Sequence, residues 1–388
     1  MTDARRVRAV AVIGIVILVL VVTAAGYLRL GPFRQSPSQS RSTATPLSAF
    51  ATGQFKDFQA VSAASAWIFM TTLDGGPLLY RTSDSGRSWQ AIAVPQAGVD
   101  QKFGFQLIDR NTGMVQLGHG LMSTGNGGQT WQEVPLPAGQ TFGLGAHFLT
   151  ANKGWYQDLA AYPNQSAQPS SMWWTSNRGA SWSLLWQVNA DHPSDGPIPL
   201  DGTKFVLGFD GSLGWLSIRE GDSDHLVETF DGGRTWSETP LPPSGQILLF
   251  DLRLLPDGSA ILIARSNGSW RAIKSNDGGR TWADSRQVPI TSPLGTGVYD
   301  RPAVLDYRHW VFADGAVLRS TSDGGQTWSD VHGHMPQGIR ALHDLWLFPG
   351  GKGWATGTDA SDGYHLLTTS DGGSTWALSL VPHLQKGG

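Results

Sequence analysis

Residues Thr321–Trp328 read TSDGGQTW, and Thr369–Trp376 read TSDGGSTW. The pattern beneath them, [S/T]-x-[D/N]-x-G-x-[S/T]-W, recurs toward the N-terminus. It returns as SNDGGRTW (Ser275–Trp282), TFDGGRTW (Thr229–Trp236) and TSNRGASW (Thr175–Trp182), then as TGNGGQTW (Thr124–Trp131) and TSDSGRSW (Thr82–Trp89). From the first box to the last, the tryptophans fall 42, 51, 54, 46, 46 and 48 residues apart. Self-similarity at that period predicts a β-propeller with one four-stranded blade per repeat.

A second marker alternates with the boxes. It is a short apolar strand, often opened by Gly-Trp or a bare Trp: AWIFM at Trp67, GWYQD at Trp155, GWLSI at Trp215, HWVFA at Trp310 and GWATG at Trp354. GMVQL at Met114 and SAILI at Ile261 take its place in the second and fifth repeats. Seven boxes and seven such strands predict an all-β, seven-bladed propeller. Its blades fall at approximately 52–92, 101–135, 140–187, 203–239, 246–286, 298–332 and 338–382.

The box chemistry is that of a hairpin turn. The Asp or Asn side-chain oxygen accepts backbone N–H bonds from the residues that follow. The Gly supplies a positive φ that other residues adopt only at a cost. The Ser and Thr hydroxyls cross-link the turn. The Trp opens the next strand and buries a large indole between neighbouring blades. Asp84, Asn126, Asn177, Asp231, Asp277, Asp323 and Asp371 are therefore read as structural, not catalytic. The box arginines Arg87, Arg178, Arg234 and Arg280 are read as solvated turn residues.

Composition agrees. Charged residues make up 15%, with 49 Gly and 17 Trp, which suits short strands and tight turns better than helices. A net charge of −3 gives no field to attract nucleic acid. The chain holds no cysteine, which removes disulfides, thiolate metal sites and Cys nucleophiles.

The N-terminus is different in kind. Ala9–Leu28 is an uncharged run of 20 residues, about 30 Å long as a helix, enough to cross a bilayer core. Arg5, Arg6 and Arg8 precede it, so residues 1–8 are expected in the cytoplasm and the rest outside. A cleaved signal peptide with Thr23-Ala24-Ala25 at its site is the alternative; the length of the run favours a signal anchor. Residues 29–48, rich in Ser, Thr, Pro and Gln, read as a flexible linker. Residues 49–388 then form the propeller. The expected location is a single-pass cell-membrane protein with the propeller extracytoplasmic, or secreted if the segment is cleaved.

The boxes resemble the Asp-box, or BNR, repeats of sialidases, xyloglucanases, sortilin-type receptors and photosystem II assembly factors. The complete blade pattern, ending in DGGxTW, is most similar to the seven-bladed photosystem II stability/assembly factor family, whose members are non-catalytic assembly scaffolds. That resemblance implies boxes between the third and fourth strands on one rim, with ligands met by the opposite face. Sialidases are six-bladed and begin with an Arg-Ile-Pro element, which this sequence lacks. Xyloglucanases of this kind pair two propellers and need about twice the length.

On the expected binding face the candidates are His119, Asp158, Glu220, Arg265, Asp314 and Asp359, at or beyond the ends of second strands. Trp173 and Trp174, after the long insertion Leu159–Ser171, are candidates for stacking on a sugar or peptide, with Trp186 beside them. Inter-blade packing by at least one of Trp173 and Trp174 is the alternative, because adjacent strand residues face opposite sides. His332-Gly333-His334, with His343 nearby, lacks a further metal ligand, so no metal site is assigned. No Walker loop, nucleophile elbow, His-Glu-x-x-His or EF-hand register occurs. The reading assigns no catalytic residue and no cofactor. It gives a binding or assembly propeller for a protein or cell-surface glycan, with a glycoside hydrolase of sialidase or xyloglucanase type as the alternative. Oligomeric state is not legible.

Overall fold

The structure is a computed structural model, and it describes residues 53–72, 76–94, 103–117, 120–137, 145–159, 168–242, 245–290, 302–331, 333–361 and 363–379. The expected membrane segment and linker lie outside the described residues, as do His119 and His332. No helix occurs among the described residues, and none there is long and apolar enough to cross a membrane.

Seven four-stranded antiparallel sheets follow one another along the chain. Their strands fall within 53–92, 103–133, 145–188, 203–239, 247–287, 303–331 and 339–378. Each sheet pairs four consecutive strands in chain order. Blade 1, for example, runs Gly53–Ala60, Ala66–Thr72, Pro77–Thr82 and Gln90–Ile92. First strands lie side by side between blades 1 and 2, 4 and 5, and 6 and 7, which makes the first strand innermost. The crossover from blade 3 to blade 4 adds a small hairpin, Ser194–Asp195 with Ile198–Pro199.

What makes this a ring is the placement of the cores. The seven buried apolar clusters among the described residues are each shared by two adjacent blades. The second-strand residue at the Trp marker faces the following blade and meets that blade's box tryptophan. Trp67 is grouped with Trp131, Trp155 with Trp236, Trp215 with Trp282, and Trp354 with Trp89. The last pair joins blade 7 to blade 1 and closes a seven-bladed propeller. Trp354 Nε1 also donates to the Ser62 carbonyl at 3.1 Å across that seam. Among the described residues no strand is exchanged between blade 1 and blade 7: each is a complete four-stranded sheet, and side-chain packing closes the ring.

Blade 6 departs from the aligned pattern. The residue opposite the first box residue is Gly or Ala in six blades, as in Gly214↔Thr229 and Ala260↔Ser275, but in blade 6 it is Trp310↔Thr321. Trp310 thus stands one position early. A shift of one residue reverses the facing side, so Trp310 points back to blade 5 and Val311 takes the forward place. Blade 5 carries the smaller Ile261 there, and Trp310 fills the space from the other side.

Candidate functional site

Strand order defines two faces. First-to-second and third-to-fourth connections share one end of the sheets; second-to-third hairpins and blade crossovers share the other. The repeated turns occupy the first face. In six blades the fourth residue of the turn donates its backbone N–H to its own blade's first connection, as in Ser85→Ala64, Gly232→Ser212 and Gly372→Gly351 at 3.1, 2.8 and 2.7 Å.

Inside each turn one arrangement repeats. Thr229 Oγ1 donates to Asp231 Oδ1 (2.9 Å) and accepts from Gly233 N (2.9 Å). The carboxylate also accepts from Thr235 N (2.9 Å) and Thr235 Oγ1 (2.7 Å). The Thr235 hydroxyl and then its backbone N–H hold Asp231 down to about 2. The backbone N–H of Thr281 and the Ser275 hydroxyl do the same for Asp277, also to about 2. Asp323 and Asp371 are lowered by Thr327 and Thr375. In Asp84 burial works upward, but the Ser88 hydrogen bonds outweigh it. Where Asn replaces Asp, the polarity of one bond reverses: Asn126 Nδ2 donates to Thr130 Oγ1 at 2.9 Å.

Three of the box arginines do more than face solvent, Arg234 by donating to the Asp231 carbonyl of its own turn at 2.9 Å. Arg280 lies 4.3 Å from the ring centre of Phe230. Arg178 donates to the Ala151 carbonyl and to Gln132 Oε1 of blade 2, both at 3.3 Å.

The opposite face carries the candidate residues at their hairpins. Asp158, Glu220, Arg265, Asp314 and Asp359 end, or nearly end, second strands of blades 3 to 7. Each sits in a different blade, and several are engaged within their own hairpin. Asp314 pairs with Arg319 at 3.2 Å. Asp359 accepts from Ser361, Gly363 and His365 at 2.7–2.9 Å and is held below the usual carboxylate range, first by His365. Glu220 lies 3.9 Å from His225, which also contacts Glu238 at 3.0 Å. Arg265 Nε donates to the Gly268 carbonyl at 3.3 Å. Among the described residues no three His, Cys, Asp or Glu side chains come within metal-binding reach of one another.

The tryptophans of blade 3 divide. Trp174 packs edge-on against Phe209 of blade 4, with ring centres 5.0 Å apart. Trp173 is half-buried and donates to Ser171 Oγ at 3.0 Å. Trp186 is 1% exposed and belongs to the blade 3/blade 4 core, so it offers no stacking surface. The middle of the insertion before Trp173, residues 160–167, lies outside the described residues.

Three features went unseen in the sequence. Lys204 is wholly buried, and its ammonium donates to the carbonyls of Leu200, Asp201, Gly202 and Gln168 at 2.5–3.3 Å. It pins the blade 3/blade 4 crossover to the end of the insertion, and burial pushes it down to about 8. Buried glutamines latch neighbouring blades: Gln59 to Phe105 and Leu107, Gln106 to Phe148, Gln157 to Lys204 and Val206. Finally, Asp57, Asp251 and Asp344 sit in or beside β-bulges of innermost strands in blades 1, 5 and 7. A recurring Asp followed by Phe or Leu in an apolar strand (KDF, FDL, HDL) was the available signal.

No family model matches the chain, and no curated protein matches it. Solved structures do. One described as YCF48 bound to D1 peptide shares 18% identity, with a TM-score of 0.51, over 87% of this chain and 98% of its own. A prolyl endopeptidase structure shares 11% identity, with a TM-score of 0.56, over 86% of this chain and 52% of that one. A puromycin-hydrolysing peptidase of Mycobacterium tuberculosis shares 11%, with a TM-score of 0.55, over 87% and 54%. The chain spans about half the length of the two peptidases and nearly all of the YCF48 structure; at these identities, what is shared is the propeller fold.

Proposed function

We propose that the chain is a non-catalytic binding propeller, anchored by residues 9–28 outside the cytoplasm, that grips a protein partner with the face opposite the repeated turns. The observation that carries this reading is the state of the carboxylates on that face. A glycoside hydrolase needs two of them facing each other across a sugar, about 5–5.5 or 6.5–9.5 Å apart. Here Asp314, Asp359 and Glu220 belong to separate blades, and each is turned to a partner in its own hairpin. Such a surface suits recognition over a broad area, with preformed polar groups around the rim. The likeness to a propeller solved with a peptide bound supports a polypeptide as the partner.

The test is photo-cross-linking in membranes that carry the full chain. A photoreactive residue at Glu220 or Tyr364, on the hairpin face, is expected to capture one discrete protein. The same residue at Arg234 or Gln326, on the turn face, is expected to capture none. Capture from the turn face alone would overturn the assignment. Turnover of sialosides or β-glucans by the full chain would replace it with a hydrolase.

A further inference from the structure

The fourth strand of blade 3, Ser183–Val188, is unlike its counterparts. It has six residues, whereas the other fourth strands have two to five. Among the described residues nothing pairs with its outer edge. Leu184 on it is 45% exposed, one of four large apolar side chains that stand out in this way among the described residues. Outer strands are sites of unwanted pairing, and folded proteins usually shorten, twist or charge them. This one is long and apolar at its start.

Beside it the crossover hairpin stands off to leave a cleft of about 270 Å³, lined by Leu184, Leu185, Trp186, Gln187, His192 and Asp195. One contact shows what the edge accepts. Gln187 directs its backbone N–H outward, and Asp195 Oδ2 receives it at 3.2 Å. A carboxylate thus takes the place that the carbonyl of an added strand would take. Exposed charge on the stretch itself is acidic, the Lys204 ammonium being buried among the crossover carbonyls. Residues 183–202 contain Asp191, Asp195 and Asp201 and no Lys or Arg. Asp191 and Asp195 are exposed.

We propose that this edge is a second, lateral binding site, which takes a basic, extended segment of a partner protein as a fifth strand on blade 3. The added backbone would replace Asp195 at the Gln187 N–H. An apolar side chain would cover Leu184, and lysine or arginine side chains would lie along Asp191 and Asp195. The site runs along the outer edge of blade 3 to the crossover, which shares its end of the sheet with the hairpin face, but it uses none of the candidate residues of that face and does not depend on their reading.

The probe is a fluorescent heptapeptide of alternating Lys and Val, titrated into the full chain and followed by anisotropy. Two controls separate strand addition from charge alone: alternating Glu and Val, and alternating Lys and Pro, which keeps the charge but cannot pair. The Lys-Val peptide is expected to bind at least about tenfold more tightly than either control. It should also slow amide exchange at Gln187. Gln187→Pro removes only an outward N–H, and Leu184→Ser removes the apolar contact; each should weaken binding about tenfold. Should Gln187→Pro fail to fold, Leu184→Ser carries the test alone. Equal binding of the Lys-Pro peptide, absence of binding, or indifference to the folded variants would overturn the proposal.

Discussion

Ser85 and Arg178 are two non-glycine residues held in the left-handed region, at φ 62° and 59°. They occupy the fourth place of their turns, where the other five blades have Gly at φ 70–75°. An L-residue pays about 1–2 kcal/mol for that conformation, partly offset by the extra freedom of Gly in the unfolded chain. Ser85→Gly is therefore expected to raise stability by up to about 1 kcal/mol in urea denaturation. Arg178→Gly should gain less, because it also loses the bonds to Ala151 and Gln132. The fifth place is stricter. A Cβ on Gly86 would lie 3.0 Å from the Trp354 ring, and one on Gly279 would lie 2.7 Å from Trp215. That glycine is required by the preceding blade as well as by φ, so Gly279→Ala should destabilise more than Gly232→Ala. The turn carboxylates also set an acid limit. Asp231 and Asp277 have folded values near 2, below the ordinary 3.8, so their contribution is complete above about pH 5 and is lost as pH falls from about 4 to 2. Asp231→Asn together with Asp277→Asn should flatten that limb of the stability–pH curve while preserving the fold, since Asn126 and Asn177 already close their turns with an amide.

At the scale of the strand, each blade has one residue that looks forward and one turn tryptophan that looks back. Where the forward residue is not Trp, the neighbourhood is refilled. Trp310 does so opposite Ile261, and Trp182 stacks edge-on with Phe148 and Tyr156 beside Met114. The buried glutamines work at the same joints. Gln106 donates to the Phe148 carbonyl and accepts from the Phe148 N–H, both at 2.7 Å, as a paired strand would. Gln106→Leu keeps the bulk but leaves two buried backbone groups unpaired, and a loss of about 2–4 kcal/mol is expected. Chemical denaturation checks it. A loss below about 0.5 kcal/mol would mean that solvent reaches the joint and the latch is not buried in practice.

For the whole molecule the distinctive joint is the one between blade 7 and blade 1. Six joints are bridged by the continuous chain; this one is held by Phe58, Trp89, Trp346, Trp354 and their neighbours. Trp354→Ala and Trp215→Ala remove equally buried indoles and should each cost about 3–5 kcal/mol. Their local consequences should differ. Loss of Trp354 is expected to speed amide exchange in Gly53–Ala60 and Gly353–Asp359, the strands at the seam, because no covalent link limits its opening. Loss of Trp215 should spread its effect with no such focus. Exchange measured by mass spectrometry on both variants compares the two.

The residues alone settled the number of blades and the antiparallel four-strand unit. Those properties are local: a turn of eight residues carries its own hydrogen-bond donors, acceptors and positive-φ positions, and repetition multiplies the signal. The sequence also placed Asp158, Glu220, Arg265, Asp314 and Asp359 at the ends of second strands, since strand length and alternation are readable along the chain. Tertiary structure alone decided what those side chains meet, that Trp186 is core, that Trp310 fills the joint from the following blade, and that Lys204 is caged by carbonyls from two loops. The core place of Trp186 and the reach of Lys204 to Gln168 depend on groups distant along the chain, and Trp310 turns on a one-residue shift in pairing; the partners of the face residues are close in sequence, but which way those side chains turn is set by the hairpins, not by the residue pattern.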